Sequence, residues 1–227
     1  MIYPPEQFKE QGYIKVENFI SKQMTDYFYT YIKQQALNTA LLQEMYGQEL
    51  WDKFFPLYGS CGVFDDTQAL GDYSRYGDPT FDALLGLKKN LVEQATGLQL
   101  TPTYTYHRLY TTDTELVRHK DRPSCEISTT IHLGGDQWSI FIDPTGSNNV
   151  IDEYKNIIKP NAPQGVKVDL DVGDMLVYSG CELEHWREEF QGNVCVQVFL
   201  HYNHVNGQFA EKNKFDKRPM LGIPPIR

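Results

Sequence analysis

Two stretches of helical periodicity precede a long run of short alternating segments. Between Ser21 and Tyr46, Met24, Phe28, Tyr31 and Ile32 recur at helical spacing, and Ser21 stands where an N-cap would. A second helix is expected over Thr80 to Thr96: Asp78-Pro79 opens it, Phe81, Leu84, Leu85, Leu87, Leu91 and Val92 supply a buried face, and Gly97 ends it. Ahead of both, Gly12 to Phe19 alternates as a short edge strand does. After Gly97 helical periodicity is lost. Strands are predicted near 99–110, 114–119, 125–133, 137–143, 166–170, 174–179, 183–188 and 194–202. Eight short strands with glycine-marked turns predict a mostly β fold, a double-stranded β-helix (jelly roll) buttressed by two N-terminal helices.

Three segments fall outside this pattern. Residues 47–78 hold Trp51, Phe54, Phe55, Tyr58, Phe64, Tyr73 and Tyr76 among glycines and short polar residues, which suits either aromatic plugs over a sheet or a lid or substrate-binding loop. Pro144 to Gly165 is a long insertion, and the tail after Asn206, rich in Lys, Pro and Asn, is expected to wrap loosely over the surface. The 227 residues, 41% of them hydrophobic, suffice for one domain. Its expected parts are helical support and a variable loop over 1–98, a catalytic jelly roll over 99–203 and a tail over 204–227.

Charge and cysteine usage narrow the function. A formal net charge of −9 argues against a general nucleic-acid or anionic-membrane surface. No run approaches a membrane-spanning length, and Met1-Ile2-Tyr3-Pro4-Pro5-Glu6 lacks the charged start and apolar core of a signal peptide, so a cytoplasmic location is expected. Cys61, Cys125, Cys181 and Cys195 form no Cys-x-x-Cys pair and read as reduced thiols.

The chemistry centres on His119-Lys120-Asp121. On an extended strand, side chains at i and i+2 leave the same face, so this imidazole and carboxylate can converge. A second imidazole is available from His185, on a later strand that can fold back alongside. Two His and one carboxylate on one face of a metal leave positions open, as in the facial triad of non-haem Fe(II) oxygenases. His107, His132, His201 and His204 lack such pairing and are taken as structural or as supporting the ligands.

The order His-x-Asp, then Asp171-Val172-Gly173-Asp174 before an apolar strand, then His185, resembles the Fe(II)/2-oxoglutarate dioxygenases of the prolyl 4-hydroxylase type over roughly Gln99 to Asn203. The resemblance implies His119, Asp121 and His185 as catalytic metal ligands. It also implies Fe(II), 2-oxoglutarate and O2 as cofactor and co-substrates, with ascorbate as a candidate reductant, and hydroxylation of a C–H bond. Proline in a peptide, a free amino acid or another small metabolite would all suit as substrate. A carboxylate at Asp121, where related halogenases have Gly or Ala, favours hydroxylation. Such enzymes place a Lys or Arg nine or ten residues after the second His for the far carboxylate of 2-oxoglutarate. Here those positions are Val194 and Cys195, a departure. Arg187, two residues after His185 and on its face of a continuing strand, is the first substitute; an ion pair with Glu188 or Glu189 is its bland alternative. Arg122 is the second, with a brace to Glu126 as its alternative, and Arg108 is a fallback. Tyr110, nine residues before His119, matches a tyrosine that assists co-substrate binding in related enzymes, while Thr129 and Gln197 are weaker polar candidates. Two other readings stay open: a cupin-like metal enzyme that does not use 2-oxoglutarate, and a catalytically silent jelly-roll binding module. Oligomeric state is not legible.

Overall fold

The computed structural model describes residues 5–54, 61–147 and 163–223. Strands numbered in chain order build two antiparallel sheets. The larger contains, in spatial order, β1 (Tyr13–Val16), β8 (Met175–Ser179), β5 (Ile127–Gly135), β10 (Val194–His204), β3 (Leu100–Thr111) and β2 (Tyr73–Tyr76). The smaller contains β4 (Leu116–His119), β9 (His185–Arg187), β6 (Ile140–Ile142) and β7 (Val166–Val168). This is the expected jelly roll, and the Tyr13–Val16 segment forms one edge of its larger sheet.

Helices α1 (Pro5–Gln11), α2 (Lys22–Phe54) and α3 (Pro79–Thr96) precede or interrupt the early strands. Phe28 and Ile32 of α2 and Phe81, Leu84, Leu85 and Val92 of α3 are buried with Val196, Val198, Leu200 and Tyr202 of β10 in one core. Burying four such strand residues on the helix side leaves Cys195, Gln197, Phe199 and His201 to face the other way, between the sheets. A second core, between the sheets, joins Ile140, Ile142, Leu176, Tyr178 and Leu183.

Local chemistry explains the helix ends. The Asp78 carboxylate accepts from Thr80 N (2.8 Å), Pro79 occupies the first turn, and Gly97 takes φ 71° so that its N–H reaches Glu93 O. Asp78 is also fully buried and binds Arg75 (2.8 Å) and the Tyr31 hydroxyl (2.9 Å), pinning α2 to α3. The Gly-Asp turn before β8 is likewise structural: the Asp174 carboxylate accepts from Asn18 N and Lys15.

Four expectations need correction. Helix α2 does not stop at Tyr46: Gly47 (φ 69°, ψ 166°) kinks it, and a second helical piece runs to Phe54. The 47–78 segment is not all loop, because Tyr73–Tyr76 closes the other edge of the larger sheet; residues 55–60 lie outside the described residues, as do 148–162 of the 144–165 insertion. The tail is not loose. Arg218 is buried and ion-paired with Asp82 at 2.7 Å, and Asp216 bonds the Tyr76 hydroxyl at 2.6 Å. Finally, β4 ends at His119, so Asp121 is not on that strand; its N–H is held instead by Gly180 O at 2.8 Å. Among the described residues, no helix is long and apolar enough to cross a membrane.

Candidate metal centre and its pocket

Strands β4 and β9 pair so that His119 lies directly opposite His185, with ring centroids 4.3 Å apart. The neighbours of His119 fix its orientation. Arg118 points away from the cavity, donating to Glu184 and Asp143 at 2.7 Å each and stacking over Trp186, which leaves His119 turned inward. The turn after β4, pinned by the Asp121 N–H to Gly180 O, then delivers Asp121. Its Oδ1 is 3.7 Å from His119 Nε2 and 3.6 Å from His185 Nε2, and one ligand atom from each of the three residues lies within 4.8 Å of the others. A Cβ at position 180 would collide with Asp121 Oδ2 and the Cys125 carbonyl, so only glycine admits this approach.

Hydrogen bonding settles the tautomers. His119 Nδ1 is 2.7 Å from Val117 O and His185 Nδ1 is 3.0 Å from Leu183 O. A carbonyl only accepts, so each Nδ1 carries a proton, and in the neutral ring each Nε2 then offers its lone pair toward Asp121. Burial, then the neighbouring His185, pulls the His119 pKa down to about 4. Burial pushes the Asp121 carboxyl up, but His185 and His119 outweigh it and hold the group well below the usual carboxylate range. In that tautomer two nitrogen lone pairs and a carboxylate oxygen face one another, an arrangement that a cation between them would satisfy. The donor set therefore fits a divalent metal of the kind two imidazoles and a carboxylate select.

Asp121 Oδ2 accepts from the Ser128 hydroxyl at 2.6 Å, and Ser128 in turn lies 3.1 Å from His201 Nδ1. Burial draws the His201 pKa down to about 4, so it stays neutral there. Asp121, Cys125 and His201 form a second possible grouping around the same carboxylate. Burial and the Asp121 charge push the Cys125 thiol up, against the opposing effect of the Tyr104 hydroxyl 2.9 Å away, and so disfavour the thiolate a metal needs.

Beside these residues opens a cavity of about 260 Å³, lined by Leu116, Ile140, Tyr178 and Phe199 on its apolar side and by three arginines. Arg187 is 1% exposed. It points inward with His185, as strand alternation requires, and donates to Trp138 O, to Thr130 Oγ1 and to Gln197 Oε1 at 2.6 Å. It makes no ion pair with Glu188 or Glu189, and among the described residues no carboxylate meets it; burial lowers its pKa. Its reach to Gln197 on β10 puts a guanidinium beside the strand where Val194 and Cys195 supply none. Arg122 does not brace Glu126. It forms a two-pronged pair with Asp216 (2.9 and 2.7 Å) and lies over the Tyr104 ring, because the anchored tail brings Asp216 to it. Tyr110 does not line the cavity; it packs edge-on to Trp138 behind Arg108. Thr129 accepts from Leu200 N and is also turned away.

Several lining residues were not anticipated, among them Asp66, Gln68, Tyr104, Tyr106 and Tyr178, whereas His201, taken as structural or as supporting the ligands, backs Ser128 here. Tyr104, Tyr106 and Arg108 alternate along β3, a signal present in the sequence; Asp66 and Gln68 arrive from a loop about forty residues away and carry none.

No family model and no curated protein matches this chain. Solved structures do. The chain is similar to a prolyl-4-hydroxylase of Pseudomonas putida (14% identity over 88% of this chain and 96% of that one, TM-score 0.53). It is also similar to HygX from Streptomyces hygroscopicus with nickel, 2-oxoglutarate and hygromycin B bound (12%, 90% and 87%, TM-score 0.60). A third is the epimerase SnoN of nogalamycin biosynthesis in complex with Fe3+, alpha ketoglutarate and nogalamycin RO (10%, 98% and 91%, TM-score 0.63). At these identities the likeness establishes the fold.

Proposed function

We propose that this chain, which has the fold of the Fe(II)/2-oxoglutarate oxygenases with prolyl hydroxylases among them, is itself such an enzyme and hydroxylates a C–H bond. The observation that carries the reading is the pairing, in one cavity, of a two-histidine, one-carboxylate cluster with a buried guanidinium that has no carboxylate of its own among the described residues. Fe(II) with 2-oxoglutarate and O2 would supply the oxidising power that side chains lack.

The chain's own residues do the rest. His119, Asp121 and His185 would hold the ion. Ser128, backed by His201, keeps Asp121 turned by occupying Oδ2. Arg187 receives the far carboxylate of 2-oxoglutarate, which would otherwise be an unpaired buried charge costing several kcal/mol (roughly). Tyr178, packed 4.7 Å from the His185 ring, Phe199 and Ile140 exclude water from the co-substrate. Free cysteines at 61, 125, 181 and 195 suit a reducing, cytoplasmic setting. The fold alone hosts many chemistries, so the test is direct. Purified protein with Fe(II), O2 and ascorbate should convert 2-oxoglutarate slowly to succinate, and His185→Ala should not. A protein that neither forms succinate nor binds 2-oxoglutarate when loaded with Ni(II) would refute the proposal and favour a metal enzyme without that co-substrate.

A further inference from the structure

We infer that Asp216 is a clasp on the rim of the metal cavity, holding two of its walls together from a strained turn whose release admits what enters; the co-substrate arm of its test rests on the oxygenase reading above. Phe215, Asp216 and Lys217 take φ of 50°, 53° and 65° in succession. Left-handed backbone is costly for residues with a Cβ, least so for Asn and Asp. Among the described residues the other non-glycine positions of positive φ are Asn18 and Asp113, both of the tolerant types. A phenylalanine and a lysine held this way on either side of Asp216 need outside contacts to keep them there.

One side chain makes those contacts. Asp216 Oδ1 accepts from Arg122 Nη1 at 2.9 Å and from the Ser124 hydroxyl at 2.6 Å, and Oδ2 accepts from Arg122 Nη2 at 2.7 Å and from the Tyr76 hydroxyl at 2.6 Å. Arg122 and Tyr76 both line the cavity, yet they come from different sheets: Tyr76 from β2 at the edge of the larger one, Arg122 from the turn that follows β4 of the smaller. Tyr104 lies between them, 4.4 Å below the Arg122 guanidinium and stacked on Tyr76 at 4.8 Å with planes 16° apart. Asp216 thus clips together the two ends of an Arg122–Tyr104–Tyr76 stack that walls the cavity next to the ligand Asp121.

The turn can let go without taking the tail with it. On either side Asn213 and Arg218 are buried, and Arg218 is fixed by its pair with Asp82. Lys214 and Lys217 are exposed, and about half of the Arg122 side chain meets solvent. Water competes for the Asp216–Arg122 pair and cannot reach the Arg218–Asp82 pair. Unclasping gives up hydrogen bonds at a wetted rim and recovers the strain of three left-handed residues, so the two states lie close together. Release frees Arg122 and Tyr76 and widens the way to His119, Asp121, His185 and Arg187, all of which line the same cavity.

A clasp sets how fast the cavity fills and empties, and not how tightly its contents are held. The test therefore measures rates: Fe(II)-loaded protein is mixed anaerobically with 2-oxoglutarate in a stopped-flow instrument, and the visible absorption of the chelated ion is followed. Asp216→Asn keeps the side chain's volume but meets Arg122 with an uncharged amide, and should raise the association and dissociation rates together by about three- to thirtyfold, with Kd unchanged. Lys217→Gly removes a Cβ from left-handed backbone and should slow both rates by about two- to fivefold. Backbone amide exchange over residues 214–217 should shift in the same two directions. A structural role alone does not produce opposite kinetic effects at an unaltered Kd. The inference is overturned if Asp216→Asn leaves both rates at the wild-type values, if Lys217→Gly speeds them, or if Kd changes through dissociation alone, which would make Asp216 part of the bound site. Should the wild type bind no 2-oxoglutarate, the oxygenase reading falls by itself, and the same comparison on Ni(II) uptake and release decides the clasp.

Discussion

Replacing Arg187 with Met separates stability from function. In the apo protein the side chain buries a positive charge without a carboxylate, which is costly, against hydrogen bonds to Trp138 O, Thr130 and Gln197 and a Trp138 ring 5.1 Å away. Exchanging a buried charge for an apolar side chain of similar volume is often neutral or stabilising, while each lost hydrogen bond costs about 1 kcal/mol. The two effects nearly offset, so apo stability should move by no more than about 2 kcal/mol either way. The ligand-bound state behaves differently. At a hundredfold excess over its Kd, 2-oxoglutarate stabilises the wild type by about 2.7 kcal/mol, a Tm rise of roughly 5–11 °C for a chain of this size. Loss of a charge-assisted pair of about 1.5–3 kcal/mol weakens binding about 10- to 150-fold. A hundredfold loss would leave about 0.4 kcal/mol at the same concentration, a rise of roughly 1–2 °C. Scanning calorimetry of Ni(II)-loaded protein with and without 2-oxoglutarate reads both numbers. An Arg187→Met variant that keeps the full 2-oxoglutarate shift would refute the assignment and move the anchor to Arg122 or Arg108.

His119→Ala, Asp121→Ala and His185→Ala should each abolish Fe(II) binding with unchanged circular dichroism, and undiminished metal uptake by any one of them removes that residue from the centre. Ser128→Ala leaves Asp121 Oδ2 without its 2.6 Å donor and should lower metal affinity about 10- to 100-fold in chelator competition; equal affinity would make Ser128 irrelevant to the ion. Arg218→Ala strands the buried Asp82 carboxylate and should cost roughly 3–5 kcal/mol in urea unfolding, whereas a change below about 1 kcal/mol would mean the tail contributes nothing. Burial raises the Asp216 carboxyl, but bonds from Arg122, Ser124 and Tyr76 outweigh it and hold it at about 2. A folded pKa below the unfolded one gives stability that is present above about pH 4 and lost as pH falls through about 2, worth about 1–2 kcal/mol after allowing for solvent at the pair's edge. Asp216→Asn should therefore flatten the stability profile between pH 5 and 2, and an unaltered slope would contradict the pairing.

What was legible in the sequence is what neighbours in the chain decide. Asp78, Pro79 and Gly97 mark α3 because capping is a matter of one turn, and His185 and Arg187 share a face because strand alternation is a matter of two residues. The strands after Gly97 followed the same logic. Position decided by distant partners was not readable. Tyr73-Ser-Arg-Tyr shows no alternation, since Tyr73 and Ser74 are both buried at the sheet edge, and its strand was missed. Glu126 was the natural local mate for Arg122, but its carboxylate is taken by Asn203 and the His204 N–H, and Asp216 arrives from 94 residues away. Tyr110 sits at the right count before His119, yet it lies within β3 and packs against Trp138 behind Arg108. His-x-Asp was read as a strand pair and is a strand end plus a loop; the residues converge by a different backbone route.

The carbonyls of Val117 and Leu183, which hold the two ring protons, also shape how the centre meets its cation. Each ring is aimed by a main-chain carbonyl two residues before it, so the direction in which Nε2 faces Asp121 is built by the folding of the chain itself. The donor geometry does not wait for an ion to gather it, and a cation entering the cavity meets ligands that are already turned toward one another.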